Sequence, residues 1–364
     1  MVDHTSGVQH SVKVRGKDLN GKVVVLDKTH PNQLTLFQTF LPEEDPEDKY
    51  SNTIELYDAI PKYFSNPKIM DMMRENGKYL PTLERVFRYR NEFYRVHIRP
   101  ARIQDRSGKH KEYYPSSREE LVEEALRKIA CDQMNGVYLD NQAGVQFTLY
   151  ALKQELKSRG HDINLPNLVD ALRICSGVLL SIWRDNDKIL VESAIFPTLL
   201  LASKQDWLAS PKTTRCYVQF HSLVTHCMSC LTYRQFDYDA HMHYTHRLSR
   251  WLHKRLAHNY TQAGFLHPYT IRLSTILRDS GTYQSPRAHN NARQIDEALT
   301  ELKEEQILLS IQKDIVRGQR NSLVDITYTL LPTIEFIDEV KKANRRTTLL
   351  AQKLLSAHHN EVRP

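Results

Sequence analysis

Between Pro286 and Gln294 the chain offers Arg287, His289, Asn290, Asn291, Arg293 and Gln294 with no acid among them. Arginine presents a bidentate donor fork suited to guanine O6 and N7, and Asn or Gln a donor–acceptor pair suited to adenine N6 and N7. The stretch then runs into Asp296, Glu297, Glu301, Glu304 and Glu305. A helix over this segment therefore carries base-reading chemistry in its first half and negative charge in its second, where it would leave the phosphates. The plainer alternative is a surface helix with polar first turns. A second group, Arg247, Arg250, Lys254 and Arg255, lies at i, i+3, i+7 and i+8 and forms one helical stripe. Its spacing suits phosphates or a neighbouring acidic helix equally. Arg317 and Arg320 flank Gly318 in a polar loop, from which they would reach a backbone or an adjacent minor groove.

Three other chemistries are weaker. His241-Met242-His243 with Tyr244 has the residue types of a metal-dependent nicking centre, which holds both imidazoles on one face of a strand. Here the triplet opens a helical pattern, where i and i+2 diverge by about 200°. Cys227 and Cys230, with His226, His241, His243 and His246 nearby, have the types for zinc, but no glycines wrap a metal and buried thiols usually act as small apolar groups. Gly16 to Lys22 matches the first seven positions of a phosphate-binding loop, yet Val23 stands where Ser or Thr should hold magnesium and VVVL reads as a strand. The expectation is a binding protein with no catalytic residue, metal or cofactor.

The whole chain has 364 residues, a net charge of +7 and a pI near 9.0. Its charge is regional: Ala240 to Arg278 contains six Lys or Arg and six His but no acid, as a phosphate-facing surface would, whereas Glu43 to Asp48 is acidic. Five scattered cysteines indicate a reducing compartment rather than a disulfide framework. No apolar run is long enough to cross a membrane, and the first residues lack the apolar core of a secretory signal. A cytoplasmic location and no membrane partner are expected.

The elements that must position these residues repeat in outline. Arg85 to Ile103 alternates apolar residues with Arg, giving strands, with a turn at Asp105 to Gly108. A helix follows from Ser116 or Ser117, with Glu119 and Glu120 in its first turn and Leu121, Ala125, Leu126 and Ile129 on one face. Next come a strand at Val145 to Phe147, helices Leu149 to Ser158 and Leu165 to Cys175, and strands Val178 to Trp183 and Ile189 to Ile195. The second copy has a long helix, Ala240 to His258, an extended piece at Tyr269 and a helix from Leu273 to Arg278. A third helix is capped by Ser285-Pro286, and strands Ile307 to Ile311 and Leu323 to Leu331 flank the loop at Arg317 to Ser322. Three helices, a strand, a wing and a strand, twice over, predict an α+β chain of two tandem winged-helix domains. Residues 1–84 form a polar N-terminal arm, partly disordered; 85–235 the first domain with an N-terminal strand extension; 236–335 the second and main reader; and 336–364 a basic C-terminal helix or tail. In the first domain the equivalent DNA-facing positions are Asn164, Asn167 and Arg173, with Arg184 and Lys188 at its wing. That sparser set suggests backbone contact or dimerisation.

The segments VQFTLYALKQELKSRG (Val145 to Gly160), HRLSRWLHKRLAH (His246 to His258) and SPRAHNNARQIDEALTELKEEQILL (Ser285 to Leu309) carry a resemblance. In order and residue character the chain is similar to plasmid replication initiator (Rep) proteins of the tandem winged-helix type. The resemblance spans roughly residues 118 to 332. It implies recognition of direct repeats in double-stranded origin DNA, local duplex opening, recruitment of a host initiator and replicative helicase, and autorepression as a homodimer. A winged-helix transcriptional regulator is the alternative within the same fold.

Overall fold

The computed structural model describes residues 13–17, 23–27, 49–64, 66–104, 108–131, 135–139, 141–184, 188–230 and 232–361. Near the N-terminus Lys13–Lys17 (β1) and Val23–Asp27 (β2) pair as an antiparallel hairpin, so Val23 opens a strand. The acidic block at Glu43 to Asp48 and the turn at Asp105 to Ser107 lie outside the described residues.

The first domain starts earlier than its hydrophobic pattern suggests. Tyr50–Ile54 (β3), Glu55–Ala59 (α1) and Pro67–Met72 (α2) are short and broken by Pro61, so no period is sustained. Even so, Ile54, Tyr57, Ile60, Tyr63, Phe64, Met70 and Leu80 are all buried in the first apolar cluster. The expected arm thus gives way by residue 50 to a segment that supplies these side chains to the first core. Leu83–Tyr89 (β4) and Glu92–Arg99 (β5) form a hairpin whose two loop residues, Arg90 and Asn91, both have positive φ (45° and 68°). That is the loop whose twist matches the flanking strands. Ala101–Gln104 (β6) and His110–Tyr113 (β7) pair next.

Ser117–Cys131 (α3) follows, with Ser116 accepting a capping box: the Glu119 carboxylate takes hydrogen bonds from the Ser116 N–H (2.7 Å) and hydroxyl (2.6 Å). Gly136–Leu139 (β8) and Gln142–Phe147 (β9) lead to Leu149–Ser158 (α4), capped by the Thr148 side chain, and Leu165–Gly177 (α5), capped by Asn164. Leu179–Arg184 (β10) and Lys188–Ala194 (β11) are the wing strands, and β10 also pairs with β5. The sheet order β11-β10-β5-β4 therefore grafts the N-terminal hairpin onto the first wing.

The stretch between the two winged-helix patterns is itself folded. Leu199–Leu200 (β12), Lys204–Ala209 (α6), Cys216–Gln219 (β13), Ser222–Ser229 (α7) and Tyr233–Asp237 (β14) are ordered elements. In a second sheet, β12-β13-β9-β8, the linker strands complete the pairing of β9, while β14 pairs with β3.

The single long helix expected from Ala240 is two: Tyr238–His243 (α8) and Arg247–Asn259 (α9). The backbone is extended at Tyr244 and His246 between them. The second domain continues with Tyr269–Arg272 (β15), Leu273–Ser280 (α10), Ala288–Glu304 (α11), Leu308–Arg317 (β16), Leu323–Pro332 (β17) and Ile334–Glu361 (α12). Gly281 ends α10 in the left-handed region (φ 62°), which only glycine enters without strain. Its three-stranded sheet has the order β15-β17-β16, leaving β16 at the edge. Ile276, Ile295, Leu299, Leu302, Tyr328 and Leu330 fill the second core, which α12 closes with Phe336 and Val340. The apolar clusters divide between Met242 and Tyr244, at the break between α8 and α9. No helix among the described residues is long and apolar enough to cross a membrane.

Candidate nucleic-acid interface

The third helix of the second domain is α11, and its charge split has a structural cause. Acids of its second half hold other parts of the domain, although Glu297 and Glu304 stay exposed. Asp296 pairs with Lys313 of β16 (2.8 Å) and accepts from the Tyr328 hydroxyl (3.3 Å). Glu301 closes the start of α9: its carboxylate accepts from the N–H groups of Thr245 and His246 (both 3.1 Å) and from the Ser249 hydroxyl (2.5 Å). His246, at the helix boundary, has no side-chain cap of its own, so this carboxylate satisfies orphan amides from another element. Burial alone would raise the Glu301 carboxyl, but the hydrogen bonds from Ser249, Thr245 and His246 outweigh it and hold it below the usual range.

The first half of α11 faces outward. Arg287, His289 and Arg293 are exposed, and Asn290 and Gln294 are half-buried. Arg293 is 3.8 Å from Glu297, an exposed i,i+4 pair that DNA can displace at little cost. Asn291 departs from the expected set. It is buried, its Oδ1 accepts from the Ser285 N–H (2.7 Å) and its Nδ2 donates to the Ser285 carbonyl (3.0 Å). Ser285 and Pro286 are thereby held in a turn ahead of the helix, which begins at Ala288 rather than at Ser285-Pro286. Asn291 is a fastener, not a base reader. The same turn exposes Tyr283 and Gln284 beside the helix start. Sequence reasoning passed over both, although they belong to the same acid-free run. Arg317 and Arg320 are exposed at the wing, where Gln319–Asn321 forms a short turn.

The stripe on α9 has a different destination from the phosphate one. Arg250 and Lys254 are buried against α3 of the first domain. Arg250 Nε donates to Glu120 (2.9 Å) and its NH1 to the Tyr244 carbonyl (2.8 Å), while Lys254 Nζ reaches Glu124 (2.5 Å) and Asp58 (3.3 Å). Arg247 is buried too, donating to the Ser280 carbonyl (2.6 Å) and Thr282 hydroxyl (3.2 Å). Arg255 lies over the Trp251 ring and pairs with Asp279 (3.2 Å). All four leave the DNA-facing set, because each guanidinium or ammonium is committed to the protein.

The α9 part of the acid-free run is consequently turned inward and matched by acids elsewhere in the chain, while Arg272 beyond it is exposed. On α3, Glu119, Glu120, Glu123 and Glu124 are buried together with Arg127 and Lys128. Arg127 grips Asp58 with both terminal nitrogens (3.0 and 2.8 Å) and also bonds Glu124. Burial alone would raise the Asp58 carboxyl, but Arg127, Lys254 and Lys62 hold it well below its ordinary range. Three of the six imidazoles of the run, those of His241, His253 and His258, are turned inward as well. His253 is depressed to about 3 and His258 to about 4, in both cases chiefly by burial. His241 is fully buried on the face of Phe236, whereas His243, two residues on, is exposed. The two do not face one ion. Cys227 is buried in α7 and Cys230, which caps its C-terminal end, is exposed, with Cys230 Sγ 3.8 Å from His226 Nε2. Among the described residues no three metal-ligating side chains converge.

In the first domain the third helix is α5. Asn164 is its cap, accepting from the Asn167 N–H (3.0 Å); Arg173 is exposed on its surface; and Arg184, at the wing, is 3.4 Å from Glu92. Lys188 begins β11, and its side chain lies outside the described set. Asn164, Arg173 and Arg184 are exposed, a set sparse in cations in contrast to the second domain.

No protein-family model matches the chain, and no curated protein does. Several solved structures resemble it, three of them as follows. A selenomethionine derivative of domains 2 and 3 of RctB aligns with a TM-score of 0.45 and 10% identity, over 72% of this chain and 96% of that one. A second structure of RctB domains 2–3 aligns at 0.41 and 10%, over 78% and 99%. The Pi initiator protein in complex with iteron DNA aligns at 0.41 and 9%, over 60% and 92%.

Proposed function

We propose that the chain is a non-enzymatic, double-stranded-DNA-binding replication initiator whose second winged helix reads bases. The observation that carries this is the outward, acid-free first half of α11, with Arg287, His289, Asn290, Arg293 and Gln294, together with the exposed wing cations Arg317 and Arg320. A third helix of a winged helix enters the major groove by its N-terminal residues, and this is the half that carries bidentate chemistry. Two winged helices in one chain suit direct repeats: α5 and its wing take backbone while α11 sets the sequence. Recognition of a plasmid origin, its opening, recruitment of a host initiator and replicative helicase, and autorepression as a homodimer follow from the family resemblance of the sequence.

Selection of duplexes from a randomised pool tests the reading. The expected result is an enriched site whose preference at one or two positions relaxes when Arg287 or Arg293 is replaced by alanine. Equal loss on selected and random duplexes would overturn the base-reading assignment. Enrichment of a single palindrome rather than direct repeats would favour a transcriptional regulator of the same fold.

A further inference from the structure

The wing of the second domain is longer than phosphate contact requires, and it is apolar where it leaves the core. β16 and β17 each span ten residues. The core face of β17 is filled by Leu330, Tyr328 and Ile326, all buried. One step further Val324 is 61% exposed, and across the hairpin Ile315 and Val316 are each 49% exposed. Ile315 pairs with Ile326 and Val316 with Asp325, so the two faces of the tip both carry a β-branched side chain. No acid lies between Ile315 and Val324, and Arg317 and Arg320 stand within that interval. A hairpin that only touched phosphates would gain nothing from three exposed aliphatic groups.

The Lys313–Asp296 pair ties the middle of β16 to the middle of α11, and because β16 starts just past the end of α11, the strand runs back in the direction of the helix's first half. We propose that Ile315, Val316 and Val324 form an apolar wedge that enters the minor groove flanking the site read by α11 and unstacks a base step there. This rests on the duplex-binding reading above. β-branched side chains are stiff and lose little freedom on insertion, and apolar wedges flanked by basic groups are how minor-groove proteins kink duplexes. Pairing of a second copy along the exposed edge of β16 is disfavoured by the hairpin's own geometry and charge. The strand is bulged between Val316 and Arg317, and edge pairing would bring the wing cations of two copies together.

The test uses the full chain and a duplex recovered by selection on it, with 2-aminopurine placed at one position at a time across both flanks. Wild-type protein should raise the fluorescence several-fold at one or two adjacent positions on one flank. A variant carrying Ile315→Ser, Val316→Ser and Val324→Ser should still bind but give no rise; these side chains are exposed, and a matching thermal melt verifies the fold. Arg317→Ala with Arg320→Ala should reduce the salt dependence of binding while leaving a rise at saturating protein. Binding without any rise in the wild type overturns the wedge and leaves duplex recognition standing. If the serine variant keeps the rise but loses self-association in sedimentation, the tip meets a second copy and the proposal falls. Failure to recover any duplex overturns the binding reading and the wedge together.

Discussion

Replacing Arg250 with alanine separates an interdomain role from a phosphate-binding one. In the structure its guanidinium donates to Glu120 at 2.9 Å and to the Tyr244 carbonyl at 2.8 Å, and both Arg250 and Glu120 are buried. Deleting one partner of a buried pair strands the other charge and costs roughly 3–5 kcal/mol. With a urea slope of about 3 kcal/mol per molar, that is a fall in midpoint of roughly 1–2 M. A Glu120→Leu, Arg250→Met double variant should recover most of the loss, because matched apolar groups carry no desolvation penalty. Urea unfolding of wild type, Glu120→Leu, Arg250→Met and the double variant gives the coupling directly. Salt titration of DNA binding supplies the opposing result: one lost phosphate contact lowers the slope of log K against log salt by about 0.9. An unchanged midpoint with a slope reduced by that amount would refute the interdomain assignment.

Three further outcomes follow from individual side chains. Glu301→Ala should cost about 1–2 kcal/mol, by unbonding the first amides of α9. The Glu301 carboxyl is held below its unfolded value, so its contribution is complete above a pH of about 4.3 and disappears as the pH falls through the lower folded value; acid titration of unfolding free energy in wild type and variant should show that difference. Glu339 behaves oppositely: burial, and then the Asp237 charge, push it up to about 8, so it favours folding most at low pH, and that advantage is lost as the pH rises from about 4.3 through 8. Glu339→Gln should therefore gain stability relative to wild type at pH 9 but not at pH 4, read by urea unfolding at each pH. Asn291→Ala should lower the melting temperature, with a cost of about 1 kcal/mol, whereas Arg287→Ala should leave melting unchanged and lose roughly 1–3 kcal/mol of discrimination between selected and random duplexes in competition binding.

What the sequence revealed depended on whether a signal was local. The bounds of α4 coincide with the expected helix because a Thr148 cap and an apolar face with Leu149, Leu152 and Leu156 sit within one turn-by-turn pattern. The wing at Arg317 to Ser322 was legible because polar, Gly-containing residues separate two alternating runs. α3 was only half legible. Its apolar face follows from spacing, but Glu120 and Glu124 look solvated until the cations of α9, 130 positions away, are set against them. The same blindness made the run from Ala240 to Arg278 look like a phosphate surface. Charge composition locates a surface of one sign; it does not say whether the complement is DNA or another part of the chain. Asn291 failed on a smaller scale, since its bonds to Ser285 depend on a turn shape that residue type alone does not specify.

The pairing of β3 with β14 joins Ile54 to Tyr233, about 180 residues apart, and α12 then braces β14 through Glu339 to the Asp237 N–H and Asn344 to Arg234. During synthesis, then, the first domain emerges missing one strand of its own base. At ribosomal speeds of roughly 5–20 residues per second, Tyr50 to Ile54 wait on the order of ten to forty seconds for a partner. The buried charges of Asp58 and α3 wait with them, since Lys254 and Arg250 come later still. The nascent chain therefore holds an incomplete, acid-lined half until its basic half arrives, and docking of the two domains becomes the closing step of folding.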